Sequence, residues 1–306
     1  MRLPPDIAKN LRLPLISAPM FLVSGPDLVI AACRSGIIGS FPTANCRTLD
    51  KLDAWLGQIV GEAKGAAAFA PNLIVHKSNN RLIDDAALVA ERRAQMVIAS
   101  VGSPAPIMET IHEYGGLVFA DIASMRHAEK AIATGVDGLI PLMAGARGQT
   151  GWANPFAFVR AVRAIFDGPV VLAGGVSDGV ALKAAVTLGC DLAYMGTRFI
   201  ATRESMAVQG HKDMLKTSSL DELILTSAFT GLPASKLSPS IVAARLDPDA
   251  LPERGMIDIT KDINPYKRSN CWKDTWSAGH SVSGVRDIPN VETLVDRLAD
   301  EYLNAE

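Results

Sequence analysis

The stretch Pro169 to Thr202, PVVLAGGVSDGVALKAAVTLGCDLAYMGTRFIAT, decides the fold. It contains an apolar strand from Pro169 to Ala173, a Gly174-Gly175 turn and a helix. A second apolar strand, Asp191 to Met195, ends in Gly196-Thr197. Glycines at a strand end let backbone N–H groups approach an anion, and the free N–H groups at a helix start bind it. The pattern predicts a phosphate site between two neighbouring strand ends, as occurs after the last two strands of eight-fold α/β barrels.

Six further pairs of a short apolar strand and an amphipathic helix precede this stretch. Apolar strands without polar alternation indicate a parallel sheet that helices cover. Eight such units favour a closed (β/α)8 TIM barrel over an open doubly wound sheet, which usually stops at about five or six strands. The predicted strands are Leu13 to Ala18, Ile37 to Ser40, Ala66 to Val75, Met96 to Ser100, Leu117 to Asp121, Gly138 to Leu142, Pro169 to Ala173 and Asp191 to Met195.

The pattern changes after Thr202. Helical patterns cover Arg203 to Lys216 and Leu220 to Ala228, whereas Thr230 to Asn270 is rich in Pro, Ser and Asp and has no clear period. The last helix, Asn290 to Leu303, has apolar residues at helical spacing, and we interpret it as the eighth barrel helix. We therefore expect a barrel of residues 1–202 and 287–306. Residues 203–286 are expected to form a small, mostly helical insertion subdomain near the catalytic face.

Composition limits the class of protein. With 306 residues, a formal charge of −2 and 48% hydrophobic residues, the chain can bury a large core and has no long-range attraction to nucleic acid or to a membrane surface. Its cysteines stand singly, which argues for a reducing compartment, and no signal sequence or membrane span is recognisable. We expect a cytoplasmic enzyme, and the sequence leaves open whether it forms a homodimer. The cysteines are Cys33, Cys46, Cys190 and Cys271.

Few polar residues follow the predicted strands, although active sites of α/β barrels lie at these strand ends. No HxH, HExxH or acidic cluster occurs there, so no metal site is predicted. An aromatic cofactor with a phosphate tail suits such an apolar setting better. The segments concerned are Ala18-Pro19-Met20, Pro71-Asn72, Ser100-Val101-Gly102, Asp121, Gly145 to Gly151, Gly174-Gly175 and Met195-Gly196-Thr197.

Seven segments, in order along nearly the whole chain, resemble the nitronate monooxygenase family of FMN-binding barrels. That family is related to flavin-dependent enoyl reductases. Each segment alone is a weak signal, but seven in order at barrel spacing are a strong one. The segments are PLISAPM (14–20), Asn72-Leu73, GVDGLI (135–140), VVLAGGVSDGVAL (170–182), AYMGTRFIATRES (193–205), TGLPASKL (230–237) and WSAGHSVSGVRDIP (276–289).

The resemblance implies non-covalent FMN. Residues at the first and third strand ends would contact the isoalloxazine ring and the ribityl chain, and those of the last two strand ends would bind the phosphate. Asp121 lies where relatives tend to carry Lys or Gln facing the flavin, and an ionised acid there would not stabilise a flavin anion. The cofactor-binding residues so implied are Ala18, Pro19, Met20, Asn72, Asp121, Gly145, Gly174, Gly175, Met195, Gly196 and Thr197.

One loop departs from the family pattern. Relatives carry AGGHxG or AGAGGHAG after strand six, and their His takes the proton from the substrate carbon. This chain has AGARGQTG (144–151), with Gln149 in place of the His and Arg147 in place of a glycine. An amide cannot accept a proton near neutral pH, so a neutral nitroalkane would lack its base, whereas an ionised nitronate needs none. Arg147 can pair with a nitronate, a carboxylate or a nicotinamide cofactor's phosphate, or it can be a solvated loop residue.

Other side chains could replace the lost base. His280 lies in the WSAGH segment, which is expected to cover the flavin, and His76 follows the third strand, and the alternative for each is a packed or surface position. The remaining histidines, His112, His127 and His211, fall on helical patterns and are expected to face solvent. Three tryptophans, Trp152, Trp272 and Trp276, are expected either to line the pocket or to belong to the subdomain core.

The sequence thus favours an FMN-dependent oxidoreductase with a small-molecule substrate, first of all one that oxidises nitronates with O2. In this reading Gln149, Arg147 and His280 are the catalytic residues. The alternative is an NAD(P)H-dependent flavin reductase of quinones or activated C=C bonds, which the missing base and Arg147 favour. A flavin-free isomerase or aldolase barrel would need a Lys or a carboxylate pair at the strand ends, and Asp121 alone does not supply it.

Overall fold

Eight parallel strands form one sheet in the computed structural model, which describes residues 2–229, 231–252 and 274–305. The strands are β1 Leu15–Ser17, β2 Ile38–Pro42, β3 Phe69–Ile74, β4 Met96–Ser100, β5 Leu117–Ile122, β6 Gly138–Pro141, β8 Val171–Ala173 and β9 Leu192–Met195. Along this sheet they follow in the order β6, β5, β4, β3, β2, β1, β9 and β8. Bridges from Leu139 to Val170 and from Leu142 to Ala173 join the two ends of the sheet. The predicted (β/α)8 TIM barrel is confirmed.

Helices cover the outside of the sheet. A helix follows each of the first seven barrel strands, as the alternation of strands and helices in the sequence predicted. The helices are α1 Pro5–Ala8, α2 Pro26–Arg34, α3 Leu49–Glu62, α4 Leu82–Glu91, α5 Ala105–His112, α6 Met125–Ala133, α7 Pro155–Arg163, α8 Gly179–Leu188, α9 Thr197–Ile200, α10 Gln209–Thr217, α11 Ser238–Ala243 and α12 Val291–Asn304. Within the described ranges, none of them is both long enough and apolar enough to cross a bilayer.

Strand residues alternate between the barrel interior and the helix layer. Ile16, Ile98 and Phe119 pack inside the barrel, whereas their chain neighbours Leu15 and Val97 pack against the helices. Both faces of each strand are therefore apolar, which explains the continuous apolar runs in the sequence. The last inward position of a strand faces the barrel mouth, where polar side chains can meet a ligand.

The N-terminal end of the barrel is closed. Leu3 and Ile7, which flank or belong to α1, are buried and pack against the interior cluster that contains Ile16 and Phe119. Any ligand must therefore enter from the opposite end, where the carboxyl ends of the strands lie.

The last helix completes the ring of helices. Helix α12 contacts α8 on one side and α2 on the other, and it buries Val291, Leu294 and Val295 at helical spacing. The Glu301 carboxylate of α12 accepts from the Gly179 N–H at the start of α8, at 2.8 Å. This is the position of the eighth barrel helix, as the sequence predicted.

The segment after Thr202 differs from expectation. The helix predicted over Leu220 to Ala228 is wrong, because Leu223–Thr226 forms strand β10. This strand pairs antiparallel with β11, Ala234–Leu237, which also pairs with a short strand β7, Gly148–Gln149. Pairing with distant residues overrides local helix preference here.

The other helix predicted in this segment begins later than expected, at Gln209 rather than Arg203. Much of the aperiodic stretch, residues 253–273, lies outside the described residues. The division into residues 1–202 with 287–306 and residues 203–286 stays a prediction.

Candidate active site

A cavity of about 200 Å³ opens at the carboxyl ends of the barrel strands. Its wall is formed by the last inward residue of several strands and by the loops that follow them. Twelve predicted site residues line it, namely Ala18, Pro19, Met20, Asn72, Asp121, Gly145, Arg147, Gln149, Gly174, Gly175, Gly196 and Thr197. The structure therefore brings these twelve residues together at one cavity.

One corner of the cavity, between β8 and β9, presents unused hydrogen-bond donors. Gly174 and Gly175 have φ values of +132° and +78°, a backbone conformation that side chains disfavour. Within the described ranges, the N–H groups of Gly175 and Gly196 donate to no protein acceptor. The Thr197 hydroxyl accepts from the Gly279 N–H at 2.8 Å, which leaves its own hydrogen for a ligand. Donors without an acceptor suit a phosphate group.

Asn72 and Ser100 form a fixed polar pair at the ends of β3 and β4. The Asn72 amide nitrogen donates to the Ile98 carbonyl at 3.1 Å and to the Ser100 hydroxyl at 3.0 Å. Because the Ile98 carbonyl can only accept, the orientation of the amide is set, and its oxygen is left to accept from a ligand N–H or O–H.

Asp121 of β5 and Tyr194 of β9 line the same cavity, and we call them the floor pair. Asp121 Oδ1 and the Tyr194 hydroxyl are buried, and neither has a hydrogen-bond partner among the described residues. Burial raises the pKa of Asp121 to about 7. The pKa of Tyr194 is raised well above 10, by burial first and then by the nearby Asp121.

The loop after β6 brings Arg147 and Gln149 to the cavity. Strand β7 fixes this loop, since Gln149 pairs with Ala234 of β11. The Thr150 hydroxyl adds a hydrogen bond to the Met143 carbonyl at 2.7 Å. Arg147 Nε is buried without a partner in the described part of the chain. Burial lowers the pKa of Arg147 to about 10, so its guanidinium is still a cation at neutral pH.

Two predicted site residues do not line the cavity. The Met195 side chain is fully buried between the sheet and the helices, and only its carbonyl, which accepts from the Ala18 N–H at 3.1 Å, faces β1. His280 is exposed, and its ring packs against Gly145. The backbone N–H of His280 donates to the Gly145 carbonyl at 2.9 Å.

The other histidines also lie away from the cavity wall. His76 Nδ1 is paired with the Ser78 hydroxyl at 2.8 Å. The expectation that His211 faces solvent is wrong, because it is buried and stacks on Trp276 with ring centroids 5.2 Å apart. Burial lowers the pKa of His211 to about 3, with a smaller effect of Arg147 in the same direction. Trp152 is exposed, and Trp272 lies outside the described residues.

Sequence reasoning missed Tyr194 and gave Ser100 no role. Both residues could have been identified from the sequence, because inward-facing residues alternate along each strand. Ile98 and Ser100 share one face of β4, and Leu192 and Tyr194 share one face of β9. Val101, which has φ +60°, also lines the cavity, and a positive φ at a β-branched residue cannot be read from sequence.

Comparison with known proteins agrees with this architecture. A sequence model of nitronate monooxygenases matches residues 63–301. The chain belongs to the nitronate monooxygenase family. A nitronate monooxygenase of Paraburkholderia phytofirmans is 26% identical over 338 residues, which cover 94% of this chain and 92% of that protein.

Two further proteins are similar to this chain, one in sequence and one in fold. A Mycobacterium tuberculosis (3aS,4S,5R,7aS)-5-hydroxy-7a-methyl-1-oxo-octahydro-1H-indene-4-carboxyl-CoA dehydrogenase is 27% identical over 235 residues, 75% of this chain and 64% of that one. The crystal structure of a nitroalkane oxidase from Streptomyces ansochromogenes has the same fold, with a TM-score of 0.83 at 23% identity. The match covers 97% of this chain and 98% of that one. As a family member, the chain is a flavin-dependent oxidoreductase.

Proposed function

We propose that this nitronate monooxygenase family member binds FMN and oxidises nitronates with O2, acting on the anion rather than on the neutral nitroalkane. One observation carries the proposal. The loop after β6 presents a cation, Arg147, and an amide, Gln149, to the cavity, and no described lining residue is a histidine. The site can therefore bind an anion but lacks the family's base.

The described residues fit FMN. The unused N–H groups of Gly175 and Gly196 and the Thr197 hydroxyl would bind the phosphate. The Asn72 amide oxygen would accept from the ligand. The buried polar atoms of the floor pair need partners that the described protein does not supply. When bound, FMN supplies the redox chemistry, taking electrons from the substrate and passing them to O2.

Arg147 would bind the nitronate oxygens. A nitronate carries its negative charge on two oxygens of one planar group, which matches the planar fork of a guanidinium. Because the Nε of Arg147 is buried, this pairing would be stronger than it would be at the surface. Gln149 would donate a hydrogen bond from its amide and would leave substrate protons in place.

Anaerobic mixing tests the proposal. The purified yellow protein is mixed without O2 with a pre-ionised nitronate, with the matching neutral nitroalkane and with NADPH, and the blue absorbance band of the flavin is followed. We expect the nitronate alone to bleach the band quickly. Bleaching by the neutral nitroalkane at the same rate would overturn the proposal. A colourless protein that binds no added FMN would overturn the assignment of FMN as the cofactor.

The alternative is an NAD(P)H-dependent reductase of quinones or activated C=C bonds. It draws on Arg147, whose cation could pair with a nicotinamide cofactor's phosphate, and on the similarity to a carboxyl-CoA dehydrogenase. Bleaching by NADPH but not by the nitronate would favour this reading.

We further infer a cytoplasmic enzyme with a small-molecule substrate. The cysteines that the structure describes, Cys33, Cys46 and Cys190, are free and buried, as befits a reducing compartment. Fractionation of cells expressing the chain with a terminal tag would test this location.

A further inference from the structure

The floor pair consists of two proton-bearing groups that line the cavity and whose buried oxygens have no hydrogen-bond partner among the described residues. Asp121 is the last inward residue of β5, two positions after the interior residue Phe119, and Tyr194 has the corresponding place in β9. Buried polar atoms nearly always have hydrogen-bond partners. Since Asp121 Oδ1 and the Tyr194 hydroxyl have none among the described residues and both line the cavity, their partners are expected on a ligand.

The surroundings of Asp121 disfavour its ionised form. On either side of β5, strand β4 presents Ser100 and strand β6 pairs Ile140 with Asp121, and neither residue is charged. No described cation forms an ion pair with Asp121, and no described N–H donates to its buried Oδ1. A buried carboxylate without such partners is costly, so the neutral carboxyl is favoured.

Two other titratable groups lie near Asp121, and neither reverses this preference. Arg147 lines the same cavity from the loop after β6 but contributes nothing resolvable to the pKa of Asp121, which burial alone raises. His127, at the start of α6, is exposed and accepts from the Ala123 N–H at 3.4 Å.

We propose that Asp121 is protonated in the FMN complex and donates, with the Tyr194 hydroxyl, to acceptor atoms of the cofactor, so that FMN binding takes up a proton above neutral pH. The inference rests on FMN as the cofactor of the proposed function. A protonated carboxyl and a phenol are both donors, whereas a carboxylate would repel an electron-rich ligand atom.

The direction of the pH effect follows from linkage. Without ligand, Asp121 loses its proton as pH rises through about 7. If only the protonated form binds FMN well, the dissociation constant rises by about tenfold per pH unit above that value. At pH 8 the FMN phosphate is already doubly ionised, since its second pKa is about 6, and so adds little to the proton balance.

Calorimetry on the full chain, stripped of flavin and still folded by circular dichroism, tests the inference. FMN is titrated at pH 8 in two buffers of different ionisation enthalpy, which yields the number of protons taken up. We expect about one proton per FMN for the wild type. Asp121→Asn keeps a donor of the same shape, so it should bind FMN with no proton uptake and with an affinity that is constant from pH 7 to 9.

Two further variants show whether the proton uptake comes from Asp121. Asp167→Asn removes an exposed acid and should leave proton uptake unchanged. Tyr194→Phe should weaken FMN binding at every pH while keeping the uptake. If the wild type binds FMN without uptake, or releases protons, the inference fails while the proposed cofactor stands. If FMN does not bind at all, the proposed function fails with it.

Discussion

Gln149 is the residue that most directly ties this sequence to a choice of substrate. It lines the cavity, and its backbone is fixed by pairing with Ala234. A histidine placed on this backbone would supply a proton acceptor, and a positioned base contributes about 10²- to 10⁴-fold to a rate. We therefore expect Gln149→His to gain activity on the neutral nitroalkane and to leave nitronate oxidation within a few-fold of the wild type. Steady-state assays with both forms of one substrate measure this.

The matched control for this exchange is Gln149→Asn. It keeps an amide and shortens the side chain, so it should gain nothing on the nitroalkane. Equal nitroalkane rates for the wild type and Gln149→His would show that a base already exists elsewhere or that position 149 does not reach the substrate carbon.

Arg147 should determine affinity for the anion. Replacing it with Met keeps much of the side-chain volume and removes the cation, and a charge-assisted hydrogen bond contributes about 1.5–3 kcal/mol. We expect Arg147→Met to raise the KM for a nitronate by about 10- to 100-fold, while FMN stays bound. Arg126→Met, at an exposed position of α6, should leave KM unchanged. An unaltered KM in Arg147→Met would show that Arg147 does not bind the nitronate.

At the level of elements, the turn between β8 and α8 should carry much of the FMN affinity. Gly175 has φ +78°, and a Cβ there would meet no atom within 4 Å, so Gly175→Ala tests the backbone conformation without a clash. Gly65, with φ +80° and equally open space at the end of α3, is a matched control. Each substitution should cost about 1 kcal/mol of stability, because both force a side chain into the left-handed region.

Only the Gly175 change should alter cofactor binding. A turn relaxed by Ala no longer directs the Gly175 N–H at the phosphate, so we expect the FMN dissociation constant to rise about tenfold or more. Fluorescence titration with FMN and thermal unfolding of both variants would measure the two effects separately. An equal loss of affinity in Gly65→Ala would indicate a general effect of stability instead.

The elements that the sequence predicted well are those with a strong local signal. Apolar strands buried on both faces appear as unbroken runs, and helices α3 and α8 begin at residues whose side chains accept from their first turn, Thr48 and Asp178. Strands β7, β10 and β11 were all missed, since they exist only by pairing with one another. Short edge strands of this kind depend on distant partners that no local window contains.

For the molecule as a whole, the sequence predicted where the cavity lies better than which side chains fill it. Strand ends in a barrel converge by topology, so the glycines and Asn72 could be placed at the barrel mouth from the strand order, while their roles toward FMN came from the family resemblance. Side-chain environment depends on packing between distant segments. His211 is buried because Trp276, 65 residues later, stacks on it, and His280 is turned away because its ring packs on Gly145.

Two buried groups give the ligand-free molecule opposing pH dependences. The pKa of His211 is lowered to about 3 in the fold, so below its unfolded value of about 6.5 the unfolded chain binds more protons and acid destabilises the fold. The pKa of Asp121 is raised to about 7, so between about 4 and 7 the folded chain binds more protons and acid stabilises it. Between pH 7 and pH 5 each effect amounts to about 2 kcal/mol, with opposite signs.

In the wild type the pH effects of His211 and Asp121 on stability should therefore cancel, and only variants separate them. Relative to the wild type, acidification from pH 7 to pH 5 should stabilise His211→Phe, which keeps a ring against Trp276, because His211 then no longer opposes the Asp121 effect. The same change should destabilise Asp121→Asn relative to the wild type, because Asp121 then no longer opposes the His211 effect. Urea unfolding of the flavin-free proteins at both pH values measures the two slopes, and His127→Gln, an exposed exchange, should behave as the wild type does. If both variants kept the wild-type slope, neither His211 nor Asp121 would have the shifted pKa that its position in the fold gives it.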